Sequence, residues 1–304
     1  MNMKPIVSIS ITPETFLKLQ EHYSSYAYDN QNEYVIFAAS FNEVMITVWK
    51  EKKGLHKVTF VGDNALKEAK LWDIDASINK PKKKVEEKWL CFEDQIGSDE
   101  VGTGDFFGPM VVVAAYIKAK DIPELIKLGV HDSKKLTDEQ IITLGPKLAR
   151  MCQYSKLTLN NEKYNQMIDK GENMVSLKAK MHNRALLNLV EKYPEVTNLF
   201  VDQFVNAKKY YEYLNDPNEK QVKGITFKTK GESYFPCVAV ASIIARYSFL
   251  MEMKKLSEKY KMALPFGASS KADYFVKQFI NKYGITELNK IAKKNFANYK
   301  NLNN

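Results

Sequence analysis

The run Ile96-Gly97-Ser98-Asp99-Glu100-Val101-Gly102-Thr103-Gly104-Asp105 decides how this chain is read. Two adjacent carboxylates close an apolar stretch, a glycine-spaced turn follows, and the chain re-enters a strongly apolar run from Phe106 to Ile117. The pattern is that of strand, tight turn and strand, with acids at the turn. Neighbouring residues on a strand point to opposite faces. The two acids therefore reach one metal cluster only if the strand bends there, which Gly102 and Gly104 permit. Acids beside accessible backbone amides suit a phosphodiester and its metal ions.

Downstream of this hairpin, strands alternate with helices. Asp132-Ser133-Lys134-Lys135-Leu136 leads into a helix through Arg150, and a strand is expected near Tyr154–Leu159. Asn160–Lys170 and Val175–Tyr193 read as helices, and Asn198-Leu199-Phe200-Val201-Asp202 reads as a short buried strand ending on an acid. A further strand is expected over Ile225–Lys230. A long helix follows from Pro236 to about Tyr260, then two shorter ones. This order gives an α/β domain with a mixed sheet. Asp99, Glu100 and Asp202 end strands, and Glu232 in Lys228-Thr229-Lys230-Gly231-Glu232 precedes the long helix. Strand ends and helix starts meet at the carboxyl edge of such a sheet, where α/β sites form. Four acids in one place repel one another and raise their pKa values. Divalent cations supply the compensating charge, and hard oxygen ligands favour Mg2+ or Mn2+.

Upstream, residues 4–72 read as a small α+β unit. Val7–Ile11 alternates like a half-buried strand, and Thr12 or Thr15 caps a helix to about Ser24. Strands follow over Tyr34–Ser40, Val44–Lys50 and Lys57–Val61, and a second helix runs to Leu71. The order β-α-β-β-β-α gives one antiparallel sheet with helices on one face. Residues 74–88 contain Pro81 among five lysines and read as a linker. The expected domains are therefore 1–73 and 89–304.

With 304 residues the chain is long enough for two domains, and 45% hydrophobic residues make it globular. Its net charge is +9. Residues 1–90 carry 13 Lys+Arg against 12 Asp+Glu, so nearly all the excess lies with the acidic motif. A basic domain around a few acids suits a polyanionic substrate. Three isolated cysteines, Cys91, Cys152 and Cys237, offer no zinc spacing. They fit a reduced, cytoplasmic chain, and no signal-peptide pattern opens the sequence. No apolar run reads as long enough to span a bilayer, and no heptad speaks against a monomer.

The chain closely resembles the type 2 ribonuclease H superfamily and, within it, ribonuclease HIII. Gly97 to Pro109 looks like the family signature, and Asp132-Ser133-Lys134-Lys135-Leu136 is similar to a second motif. Phe200-Val201-Asp202-Gln203-Phe204 matches the strand carrying the third acid. Lys230-Gly231-Glu232 with Ala239 to Ala245 matches the fourth acid and its helix. The N-terminal unit resembles the TATA-binding-protein-like domain of ribonuclease HIII. Ribonuclease HII has Gly-Arg-Gly in the turn and an aspartate after Lys-Gly, whereas this chain has Gly102-Thr103-Gly104 and Glu232.

The resemblance implies a ribonuclease H-like catalytic domain that cuts the RNA strand of an RNA–DNA hybrid, leaving 5′-phosphate and 3′-hydroxyl ends. Asp99, Glu100, Asp202 and Glu232 would be both catalytic and metal-binding. Two Mg2+ or Mn2+ ions are expected, with Asp99 bridging, Glu100 and Asp202 completing one site and Glu232 the other. Backbone groups of Gly102, Thr103 and Gly104 would read the ribose 2′-hydroxyl. Ser133, Lys134 and Lys135 would hold phosphates at the start of their helix. Lys50, Lys52, Lys53 and Lys57 are phosphate candidates on the N-terminal sheet. Asp105 is either a fifth ligand or, as the better reading, a residue that orients the turn by hydrogen bonds, and His182 reads as a structural or polar-surface histidine rather than a catalytic base. Lys178 and Arg184 are candidates to face nucleic acid. The alternatives are an HII-like enzyme incising at single ribonucleotides in DNA, and a non-catalytic hybrid-binding protein.

Overall fold

The computed structural model describes residues 4–52, 54–79, 89–300 and 302, without the side chains of 51, 52 and 132. The chain divides into two compact units, Met1–Val85 and Glu86–Asn304.

The first unit is an antiparallel sheet of β1 (Ile6–Ile11), β2 (Val35–Phe41), β3 (Val44–Lys52) and β4 (Leu55–Val61), in the order β1-β4-β3-β2. Helices α1 (Pro13–His22) and α2 (Ala65–Ala69) follow β1 and β4. The Thr12 side chain caps α1 by accepting from the Thr15 amide. Register fixes the two faces. Val7, Phe60 and Ile46 stand side by side, as do Ile9, Val58 and Val48, and both rows join Leu19, Ala65 and Ala69 in one core. The alternate rows, Ser8-Thr59-Thr47 and Ser10-Lys57-Trp49, lie on the other face, where Met45 is exposed. Of the expected linker 74–88, residues 80–88 lie outside the described residues. Ile78 bridges Val7, and the Asn79 amide donates to the Ile6 carbonyl at 2.7 Å, so this end is stitched to β1.

The second unit is a mixed five-stranded sheet of β5 (Gln95–Val101), β6 (Met110–Ile117), β7 (Gln153–Leu159), β8 (Asn198–Asp202) and β9 (Ile225–Lys228). The order is β7-β6-β5-β8-β9, with β8 parallel to both β5 and β9 and the other pairs antiparallel. In chain order the helices are α3 (Ile122–Lys127), α4 (Asp138–Met151), α5 (Asn161–Asp169), α6 (Met174–Val190), α7 (Ala207–Glu212), α8 (Pro236–Tyr260), α9 (Ser270–Leu288) and α10 (Ala297–Lys300). The short helices α3 and α7 escaped the sequence reading, since six residues carry too little periodicity.

All of β6 is buried because both sheet faces are covered. Val111, Val113 and Ala115 pack into the core containing α8, and Val112, Ala114 and Tyr116 into the core containing α6. Gly97 lets α8 approach closely. A Cβ there would lie 2.5 Å from Cys237 Sγ and 2.8 Å from Val238 Cγ2. Contrary to the sequence reading, α8 is by length and composition long and apolar enough to cross a membrane. Most of its apolar stretch is buried inside the fold, and apolarity here serves the core.

The turn after β5 is gripped from the C-terminal segment. Gly108 N–H donates to the Ile291 carbonyl, and Lys293 N–H to the Phe106 carbonyl. The fully buried Lys293 Nζ donates to the carbonyls of Asp105 at 2.8 Å and Gly108 at 2.6 Å. Asp105 Oδ1 accepts from the Gly267 amide at 2.7 Å, so Asp105 does orient the turn. Burial drives the Lys293 ammonium from 10.5 down to about 7, partly opposed by Asp105. Between those values the unfolded chain binds a proton that the folded one lacks, so this group makes stability rise with pH. The slope is about 1.4 kcal/mol per pH unit above the folded pKa. Urea unfolding at pH 7 and 8.5 checks this: Lys293→Met removes that part of the slope, and identical slopes in both proteins exclude it.

Candidate active site

Strand alternation builds the site. Gln95, Gly97 and Asp99 face α8, where Gln95 Oε1 accepts from the Cys237 amide at 3.3 Å and Asp99 bonds the Ser242 side chain. Ile96, Ser98 and Glu100 face α6. The ladder to β6 runs unbroken from Gln95 to Val101 and the chain bends only at Gly102, whose φ is +93°, so the two acids stay close at the strand end without the bend at their own positions that the sequence reading required. The antiparallel pairing holds both acids straight, and they remain on opposite faces at the strand end. Asp202 shares its face with Phe200, which packs in the α8 core, and so lies on the Asp99 side.

Asp202 Oδ1 accepts from the Gly231 amide at 2.7 Å. That amide is presented by Lys230, a non-glycine residue held in the left-handed region at φ 61°. Gly231–Ser233 forms a short 3-10 turn, which carries Glu232 beside Asp202. The Lys134 ammonium pairs with Glu232 Oε1 at 2.7 Å and donates to Ser233 Oγ at 2.7 Å. Lys134 thus meets a site carboxylate. The helix-start placement expected for Ser133, Lys134 and Lys135 is not found. They lie in a separate 3-10 turn, Val130–Lys135, and the Thr137–Gln140 capping box already occupies the start of α4. Ser133 lines a recess of about 170 Å3 with Val101, Ser242 and Arg246. Arg246 pairs with both Asp138 oxygens at 2.9 Å.

The electrostatics are uneven. Burial pushes Asp99 well above the usual carboxylate range, reinforced by the charges of Glu100 and Asp202, against hydrogen bonds from Ser242 and the Glu100 amide. Asp202 is raised by burial, opposed by the Gly231 amide and reinforced by Glu232 and Glu100. Burial also opposes ionisation of Glu100, but the hydrogen bonds and charges of His182 and Lys178 outweigh it and hold Glu100 low. These mutual influences place the four sequence-derived acids in one neighbourhood.

Among the described residues, no three His, Cys, Asp or Glu side chains stand as a ready-made ligand set. Glu100 and Glu232 are each drawn toward a lysine. The donor chemistry nonetheless fits a hard divalent cation, because every candidate ligand atom is a carboxylate oxygen. Glu232 Oε2 is moreover buried without a hydrogen-bond partner. A buried acceptor without a partner is costly unless a donor or cation meets it.

The sequence reading missed His182 and Lys178 as parts of this site. His182 is fully buried and contacts Glu100 Oε2 through Nε2 at 2.9 Å. Lys178 pairs with Glu100 Oε1 and is itself buried, so it does not face outward to nucleic acid. Their spacing, four residues apart on one helix, was the available signal.

A family model described as Ribonuclease HII matches residues 96–299, and one described as a domain of unknown function (DUF3378) matches residues 6–85. Ribonuclease HIII of Bacillus cereus (strain AH187) is 42% identical over 273 residues, covering 86% of each chain. Ribonuclease HIII of Bacillus anthracis (strain A0248) is 43% identical over 275 residues, again covering 86% of each. Among solved structures, Bst-RNase HIII in complex with Mn2+ superposes with a TM-score of 0.67 at 34% identity, over 97% of both chains. RNase H3 of Aquifex aeolicus, at 24% identity and a TM-score of 0.54 over 95% of this chain and 99% of that one, shares the fold.

Proposed function

This chain belongs to the ribonuclease HIII family, and from that membership we propose that it is an endonuclease hydrolysing the RNA strand of RNA–DNA hybrids, leaving 5′-phosphate and 3′-hydroxyl ends. The observation that carries this reading is the gathering of Asp99, Glu100, Asp202 and Glu232 at the ends of β5 and β8. In this reading Asp99, Glu100, Asp202 and Glu232 would hold two Mg2+ or Mn2+ ions, with Asp99 expected to serve both, Glu100 and Asp202 one of them and Glu232 the other. Such ions, when bound, polarise the phosphodiester and lower the pKa of the attacking water.

The protein's own groups supply placement. Gly104 leaves the backbone of the turn open, since a Cβ there would meet nothing within 4 Å. The Gly102–Gly104 backbone therefore approaches the ribose and reads its 2′-hydroxyl, which DNA lacks. Ser133 and Lys135 contribute to phosphate holding, with Lys134 tied to Glu232 beside them. In the N-terminal unit, the uncovered sheet face with Lys57, Thr47 and Trp49 grips the hybrid, aided by Lys50. The side chains of Lys52 and Lys53 lie outside the described residues. The enzyme works as a monomer in the cytoplasm in this reading.

Cleavage of two labelled duplexes with Mg2+ and with Mn2+ tests the proposal. One carries continuous RNA against DNA, and the other a single ribonucleotide within DNA. Cutting of the first alone is expected from Thr103 and Glu232, which depart from the HII pattern. Efficient incision of the second makes the enzyme HII-like, and cleavage of neither makes it a binding protein.

A further inference from the structure

The α6 face of β5 carries a buried assembly that the reading above does not use. Lys178 and His182 stand one helical turn apart and lie over Ser98 and Glu100, two residues apart on the strand. His182 Nδ1 lies 2.7 Å from Ser98 Oγ, and Nε2 lies 2.9 Å from Glu100 Oε2. The ring centroid is 5.1 Å from that of Phe204, and the Lys178 ammonium sits 4.1 Å above the same Phe204 ring. Phe204 follows Asp202 by two residues, so the assembly braces both acid-bearing strand ends. Ser98 and His182 are fully buried, which excludes them from direct contact with substrate.

A carboxylate only accepts hydrogen bonds, so the proton between His182 and Glu100 is on Nε2. The second ring nitrogen, Nδ1, is hydrogen-bonded to the Ser98 hydroxyl, and the two contacts together fix the ring's orientation. The two partners of Glu100 differ in kind. An imidazole N–H held along one fixed direction orients the carboxylate and leaves its other lone pairs available to a cation. An ammonium on the other oxygen repels a divalent cation and competes for the same ligand.

We propose that His182, locked by Ser98, is a positioning residue that presents Glu100 to the metal, while Lys178 on the same carboxylate opposes metal binding. The inference rests on the two-ion reading above. It goes beyond that reading by assigning opposite signs to two neighbouring side chains.

Titration of the full-length protein with Mn2+ alone, followed by the paramagnetic resonance signal of free Mn2+, tests it without catalysis. His182→Leu is expected to weaken Mn2+ binding about 10- to 100-fold, the range for loss of a group that orients a metal ligand. His182→Gln, whose amide still donates, is expected to recover most of that loss. Lys178→Met is expected to bind Mn2+ more tightly than wild type. Wild-type affinity in His182→Leu overturns the proposal, as does wild-type or weaker affinity in Lys178→Met. Should His182→Leu fail to fold, Ser98→Ala removes only the hydroxyl, and unchanged Mn2+ affinity there overturns the proposal as well. A wild-type protein that takes up no Mn2+, with or without hybrid, overturns the two-ion reading itself.

Discussion

Asp99→Asn lowers cleavage of the RNA strand by roughly a thousandfold or more, a loss of about 4 kcal/mol of transition-state stabilisation, and leaves hybrid affinity at the wild-type level. The side chain is buried, its Oδ1 accepts from the Glu100 amide at 2.7 Å, and it bonds Ser242. Asparagine has the same shape and keeps an acceptor for these donors. What it loses is the charge shared with Glu100 and Asp202, which is the quantity that a bridging metal ligand provides. The fold loses nothing comparable. Three crowded carboxylates become two, so the unfolding temperature in EDTA stays level or rises. Initial rates on a labelled hybrid, hybrid binding by anisotropy and a thermal melt complete the test. A variant that cleaves at the wild-type rate sinks the assignment of Asp99. One that loses hybrid binding in step with cleavage turns Asp99 into a residue of the fold.

Gly102→Ala and Gly104→Ala separate the turn's structural duty from its contact with the hybrid. Gly102 sits at φ +93°, and an added Cβ would lie 2.2 Å from the Pro109 carbonyl oxygen and 3.0 Å from Phe249 Cε2. Backbone cannot yield as a flexible side chain does, and the conformation itself disfavours an L side chain. The two effects together cost about 3 kcal/mol, which lowers the unfolding temperature by roughly 6–12 °C for a domain of this size. Activity falls with it, because Gly102 follows the two acids directly. Gly104 has open space around its Cβ position and no left-handed φ. Its alanine variant keeps stability within about 0.5 kcal/mol. If the turn reads the ribose, KM for the hybrid rises while the melt is unchanged. An unchanged KM removes the turn from substrate reading, and an unchanged melt for Gly102→Ala contradicts the clash.

The strand-turn-strand reading was legible because Ile96 to Ile117 is governed by local rules: alternation of faces, glycines at the turn, and a strongly apolar run after it. The same rules placed β8 and α8 at the bounds the structure has, Asn198–Asp202 and Pro236–Tyr260. The bend at the acids was not a local matter. Pairing with β6 holds β5 straight through Val101, and that ladder outweighs the freedom of the glycines beyond it. The helix-start role for Ser133, Lys134 and Lys135 failed for a comparable reason, since Thr137 and Gln140 satisfy the first amides of α4 themselves.

By itself, the sequence determined which residues are acids at strand ends, that a strongly apolar strand follows the turn, and that the charge excess lies with the acidic motif. Those properties follow from side-chain chemistry and from periods of two and 3.6 residues along the chain. Only the tertiary structure decided the partners of each acid. Glu100 meets Lys178 and His182, Asp99 meets Ser242, Asp202 meets the Gly231 amide, and Glu232 meets Lys134. Most of these partners are tens of residues away in the chain, and they are set by how α6 and α8 seat on opposite faces of one sheet. No local rule encodes that seating, because it comes from packing two cores at once. It is this packing that raises Asp99, holds Glu100 ionised and leaves one oxygen of Glu232 without a partner.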